Sequence, residues 1–138
     1  MGTLIRPELS ENNKYWIEKH RYYELKHFCL QYPEWKKKLN ALTFIKCRNE
    51  KLAVKNGNSK QDPTAECAES MIFYTDRIKM IERLTEMAAG DLSSYLLKGI
   101  TEGVSYDNLK TKSDIPCCRD KYYEMYRKFF YILNIERQ

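Results

Sequence analysis

Residues 104–133 read VSYDNLKTKSDIPCCRDKYYEMYRKFFYIL, a pattern of two helices around a turn. Ser105 is a residue type that caps helices, which predicts a short helix over Tyr106 to Lys112 with Leu109 facing inward. Ser113-Asp114-Ile115-Pro116 is a turn, and Ile115 is its apolar plug. Beyond it Tyr122, Met125, Phe129, Ile132 and Leu133 recur at helical spacing. They mark the buried stripe of a last helix from about Cys118 or Asp120 to Ile135. Lys121, Glu124, Arg127 and Lys128 fall on its outer face, beside Tyr123 and Tyr131.

Upstream the chain is also written in helices. Asp91 caps a short one with Leu92, Tyr95 and Leu96 inward, and Gly99 and Gly103 bracket its end. Asp62-Pro63 opens a long helix, Asp62 as cap and Pro63 at the first helical position, where its missing N–H is harmless. Met71, Tyr74, Ile78, Ile81, Leu84 and Ala88 give this helix one apolar face, and Gly90 stops it. Residues 55–61, polar and without periodicity, form the clearest loop. A first helix is expected from Glu11 to Tyr32, capped by Ser10, with Tyr15, Tyr22, Leu25, Phe28, Cys29 and Tyr32 on its buried side. Pro33 ends or kinks it and starts a second helix carrying Trp35, Leu39, Leu42 and Ile45. No strand, repeat or low-complexity tract stands out. The fold expected is all-α, a small helical bundle with a C-terminal helix-turn-helix. Residues 1–60 form a basic, aromatic-rich helical region, and residues 61–138 a long bracing helix followed by the helix-turn-helix.

Composition narrows the function. The chain is 43% hydrophobic and 31% charged, which places it among globular rather than disordered sequences. Its 138 residues are enough for a core without disulfides or metals. No apolar run approaches the roughly 18–20 residues of a membrane helix, and Met1 to Ser10 has no apolar signal core. A soluble, intracellular protein is therefore expected, and the resemblance described below would place it in the cytoplasm of a bacterial host cell. The five cysteines are Cys29, Cys47, Cys67, Cys117 and Cys118. Their odd number and the lack of any C-x-x-C spacing argue against disulfides and a zinc site. Cys117 beside Arg119 meets one condition for a lowered thiol pKa, although packing at the helix start is the simpler role. His20 and His27 share a helix face but have no nucleophile in reach, and no phosphate loop or carboxylate pattern for a metal is present. Neither catalysis nor a cofactor is expected.

Charge points elsewhere. Residues 1–60 hold 13 Lys/Arg against 6 Asp/Glu, residues 61–103 hold 4 against 8, and residues 104–138 hold 7 against 5. Positive ends around an acidic middle suit a protein whose ends meet a polyanion. In a helix-turn-helix the last helix enters the major groove, and its first residues reach base edges. Arg119, Lys121 and Tyr123 stand at that end, Arg127 and Lys128 one to two turns further where phosphates lie, and Lys110 and Lys112 on the helix before. Lys36, Lys37 and Lys38 could serve as auxiliary phosphate contacts, although such a run fits a solvated helix face at least as well.

Val104–Leu133 resembles the C-terminal region of phage late-gene activators of the RinA/ArpU type, whose end is similar to the promoter-binding domain of sigma factors. The long helix over 62–89 fits such proteins as a brace. The stretch Gln31-Tyr32-Pro33-Glu34-Trp35 is similar to small phage and prophage proteins of Gram-positive bacteria. The turn is about two residues longer than the family pattern: Pro116 follows Ile115, and the stripe resumes only at Tyr122. The resemblance implies a phage or prophage transcription regulator that binds duplex DNA, as a homodimer or beside RNA polymerase or another host protein. Two alternatives share the same helices. One is a mobile-element inhibitor of a host defence protein, of the anti-CRISPR type, working through its aromatic N-terminal helix pair. The other is a DNA-packaging adaptor resembling the small terminase subunit.

Overall fold

The computed structural model describes residues 13–56 and 63–138, with side chains over 13–48 and 65–138. Among the described residues the protein is all-α. Its helices are α1 (Lys19–Leu30), α2 (Tyr32–Asn56), α3 (Pro63–Ala89), α4 (Ser93–Glu102), α5 (Tyr106–Asn108) and α6 (Arg119–Glu136). A 3₁₀ turn, Gly90–Leu92, joins α3 to α4, and a π turn, Leu109–Ser113, continues α5. No described helix is long and apolar enough to cross a membrane.

The chain divides into two compact units, one of residues 1–31 with 80–138, the other of residues 32–79. The division near residue 60 drawn from the sequence falls inside the second of these. In the first unit α1 packs on α4 and α6, and α4 on α6. Leu25, Cys29, Ile81, Leu96, Leu109, Ile115, Phe129 and Leu133 are completely enclosed. Each large apolar side chain removed from water in this way contributes about 1.5–3 kcal/mol. Ring against ring continues the core, with Phe130 edge-on to Tyr22 at 5.2 Å and to Phe129 at 5.1 Å. Arg21 ties the end of α6 to α1: its Nε donates to Asn134 Oδ1 at 2.7 Å and its Nη2 to the Arg137 carbonyl at 3.1 Å. Arg83 closes the same end through Glu136 at 2.8 Å.

The second unit is an antiparallel helix pair. Cys67 Sγ lies 3.6 Å from the Leu42 carbonyl, and the Lys38 ammonium is 5.9 Å from the Tyr74 ring centroid. Among its described residues Tyr32, Trp35, Cys67 and Ile78 are buried, while Phe44, Ile45, Ile72 and Phe73 are exposed.

Several boundaries differ from the sequence reading, each for a local reason. Ser10 and Glu11 lie outside the described residues, but 13–18 are not helical. Asn13 Oδ1 accepts the Tyr15 N–H at 2.8 Å and the Asn13 carbonyl that of Trp16 at 3.0 Å, a side-chain turn that competes with helix. Glu18 is the cap instead, accepting the amides of His20 and Arg21. Tyr32, expected to end that first helix, begins α2, with the amide-less Pro33 right behind it. Residues Lys55 and Asn56, expected in the loop, are still helical, whereas Asp62 lies outside the described residues. Gly90 stops α3 at φ +56° as expected. Asp91 is no cap, because the chain re-enters helical geometry at once and the Ser93 amide bonds the Gly90 carbonyl. An N-cap needs an extended backbone that this turn does not have.

Gly99 does not mark the end of α4. It is buried inside that helix, which runs on to Gly103 in left-handed geometry at φ +70°. A methyl group on Gly99 would fall on the Tyr122 hydroxyl and lie 3.3 Å from the Val104 carbonyl. Tyr122 is 1% exposed, so relieving the clash means displacing a buried ring. Gly99→Ala is therefore expected to destabilise the fold by about 1–3 kcal/mol, although alanine is the better helix former, as overpacking does elsewhere. A thermal or urea melt checks this, and an unchanged midpoint would show that the α4–α6 contact is loose.

Candidate nucleic-acid interface

The last helix is held by its inner face. Tyr122, Met125, Tyr126, Phe129, Phe130 and Leu133 are all buried, and Ile132 is half-buried rather than part of the sealed stripe. Tyr126 is core as well. Its hydroxyl and that of Tyr22 are 2.8 Å apart, so each buried phenol satisfies the other. The Tyr122 hydroxyl is buried and has no hydrogen-bond partner among the described residues.

The turn before α6 is fixed by the residues expected to do so and by some that were not. Ser105 Oγ accepts the Asn108 amide at 3.3 Å. Leu109 and Ile115 have no exposed surface. Asp114 sits at φ +51°, with its amide bonded to the Leu109 carbonyl. The Tyr106 hydroxyl donates to the Cys117 carbonyl at 2.6 Å, pinning the chain just before α6. Cys118 occupies the cap position but offers no side-chain bond. Lys110 Nζ donates to the Ile115 carbonyl at 3.2 Å and faces Asp114 at 3.9 Å, so its charge closes the turn.

On the outer side of α6 the structure brings several expected site residues together. Lys121 and Glu124 are exposed, as is Asp120, while Arg127, Lys128, Tyr123 and Tyr131 are half-buried. Arg119 points to Asp107, with Nη1 3.1 Å from Oδ1, and its guanidinium carbon lies 5.4 Å from the Tyr123 centroid. Lys112 is exposed on the π turn. Lys36, Lys37 and Lys38 belong to the second unit, each with a local partner: Lys36 over the Tyr32 ring at 5.4 Å, Lys37 near Glu34 at 3.9 Å, Lys38 over Tyr74.

Two residues at the site were not singled out from the sequence. Asp107 stands twelve positions before its partner Arg119, a separation that no periodicity reveals. Tyr15, assigned to a buried helical stripe, lies in the turn before α1 and sets its ring 5.7 Å from that of Tyr131 on α6.

Behind the start of α6 is a cleft of about 320 Å³, lined by Lys26, Ser105, Asn108 and the three tyrosines Tyr122, Tyr123 and Tyr126. No family model, curated protein or solved structure matches the chain.

The chemistry of the site is that of charge and rings. Among the described residues no three His, Cys, Asp or Glu gather as a metal site would require. His20 and His27 are both exposed on α1. Cys117 is not activated: burial raises its thiol pKa first and Cys118 second, and Lys110 and Lys121 offset this only in part. Of the two roles read from the sequence, the lowered value beside Arg119 is the one this direction disfavours. Desolvation also raises the phenols of Tyr122 and Tyr126 above the ordinary range. The unfolded chain gives up these protons near pH 10, the folded chain only higher. Stability from these groups is thus fully present below about pH 10 and falls as pH rises beyond it. An ultraviolet titration of phenolate should show at least two tyrosines that ionise only together with unfolding. Smooth ionisation of all eleven in the folded state would contradict the burial of this seam.

Proposed function

We propose that the chain binds duplex DNA through residues 104–135 and acts as a transcription regulator encoded by a phage or prophage. The observation that carries this reading is the outer face of α6. Its inner stripe is sealed in the core, while Lys121 is exposed, Arg127 and Lys128 are half-buried outside the stripe, and none of the three forms an ion pair among the described residues. A helix anchored by one face and cationic on the other has the width and charge that the major groove admits. The resemblance of Val104–Leu133 to late-gene activators of the RinA/ArpU type supports the same reading, with a homodimer or RNA polymerase as companion. No catalytic role is assigned to the chain.

One observation favours a second reading. Phe44 is 68% exposed and Ile72 60% on the helix pair of residues 32–79. Exposed aromatic and aliphatic side chains suit contact with a host protein, as in an inhibitor of a defence system.

Arg127→Ala with Lys128→Ala separates the two. In a gel-shift titration the double variant is expected to bind duplex DNA about tenfold or more weakly, with the log–log salt slope reduced by about 2. Circular dichroism should show the fold intact. Unchanged affinity and slope remove α6 from the role. Loss of biological effect with Phe44→Ser and Phe73→Ser, and none with the α6 variant, would favour the second reading.

A further inference from the structure

Arg119 is the first residue of α6, the end of the helix that meets base edges if the DNA-binding reading holds, and the inference rests on that reading. Its side chain is not a loose cation. Nη1 is bonded to Asp107 Oδ1 at 3.1 Å, and the guanidinium lies over the Tyr123 ring. Tyr123 is itself held, its hydroxyl accepting the Tyr106 amide at 3.5 Å. Asp107 is carried by a capped turn: Ser105 closes it at one end, and Thr111 Oγ1 donates to the Asp107 carbonyl at 2.9 Å. Nε and Nη2 of Arg119 make no hydrogen bond among the described residues, so one edge of the fork remains open.

We infer that Arg119 reads a guanine through that open edge and that Asp107 is the residue positioning it. Guanine alone presents two acceptors, N7 and O6, side by side in the major groove, and a guanidinium edge matches them with two parallel donors. A fork already held on its other side gives up less freedom when it binds. Phosphate contact is served by Lys121, Arg127 and Lys128, which lack such restraint. Asp107 also brings a negative charge close to a polyanion. That charge opposes binding to any duplex and is useful only through what it does to Arg119. Its two effects therefore have opposite signs: removing it should raise affinity for unrelated DNA while blurring the choice of base.

The test is selection of the full chain against random duplex DNA, followed by titrations on the selected site and on an unrelated duplex. The wild type is expected to enrich a site with one guanine position whose replacement weakens binding about tenfold or more. Arg119→Lys keeps the charge but loses the fork, so it should bind the unrelated duplex as well as the wild type and lose the preference at that position. Asp107→Ala should cut the preference several-fold without weakening binding to the unrelated duplex, and Asp107→Asn should fall between. Melting curves establish that the variants are folded. Guanine preference that survives in Arg119→Lys overturns the inference and leaves DNA binding in place. So does an Asp107→Ala variant that loses affinity equally for every duplex. If the wild type binds no duplex at low salt, the DNA-binding reading falls, and the inference with it.

Discussion

The first unit depends on the burial of one face of α6. Six side chains from Tyr122 to Leu133 enter the core from this helix, and α1 and α4 both pack against it. No other helix contributes as much. The seam is aromatic rather than aliphatic, which changes how it must be built. Leucines could slide, but phenols cannot: each hydroxyl has to find a partner or bear the cost of losing water, about 1–3 kcal/mol. Tyr22 and Tyr126 solve this mutually. Tyr106 solves it by holding the Cys117 carbonyl, so the core reaches out and fixes the turn before α6. Tyr122 has no such partner among the described residues, and Gly99, which lets it approach, gives up the side chain an ordinary helix would carry there.

Because the seam is sealed, the other face of α6 has little choice of orientation. A helix with buried residues at 122, 125, 126, 129, 130 and 133 must turn 121, 124 and 128 to water by periodicity alone. The outward position of the cations thus follows from the core and needs no separate cause. Their identity does: any soluble residue would satisfy the packing, and Lys121, Arg127 and Lys128 stand together on a surface that also carries Asp120 and Glu124.

Much of this was legible in the sequence, because helices of this kind announce themselves through spacing. The α6 stripe (apart from Ile132), Leu109, the Ile115 plug, the Ser105 cap and the stop at Gly90 all follow from periodicity and cap chemistry, and each is where the pattern puts it. What was hidden depends on side chains meeting across the fold or on local competition. Asn13 turns the chain before Glu18 and removes a turn and more of expected helix. Gly99 looked like punctuation, since a sequence does not show that a tyrosine hydroxyl will press on it from 23 residues away. Lys110 looked like a free cation until the turn folded back to offer it a carbonyl and Asp114. The pairing of Asp107 with Arg119 is of the same kind: two exposed charges on successive elements become neighbours only through the geometry of the turn between them.

The inventory of charges sets a limit on how the proposed interface could work. With Lys110 engaged in the turn and Arg119 shared with Asp107, the cations left to the outer side of residues 104–135 are Lys112, Lys121, Arg127 and Lys128. Four phosphate contacts would give a log–log salt slope of roughly −3.6, or about a hundredfold loss of affinity between 50 and 200 mM salt. That is too weak a grip for a single copy to rely on charge, and Asp120, Glu124 and Asp107 weaken it further. An interface of this composition can select a site only if base contacts supply a large share of the energy, or if two copies bind side by side. Under either condition, the restraint on Arg119 and the rigidity of the aromatic seam behind it matter more than the net positive charge of the chain. Binding that leans on few contacts gains most when each is held in place beforehand.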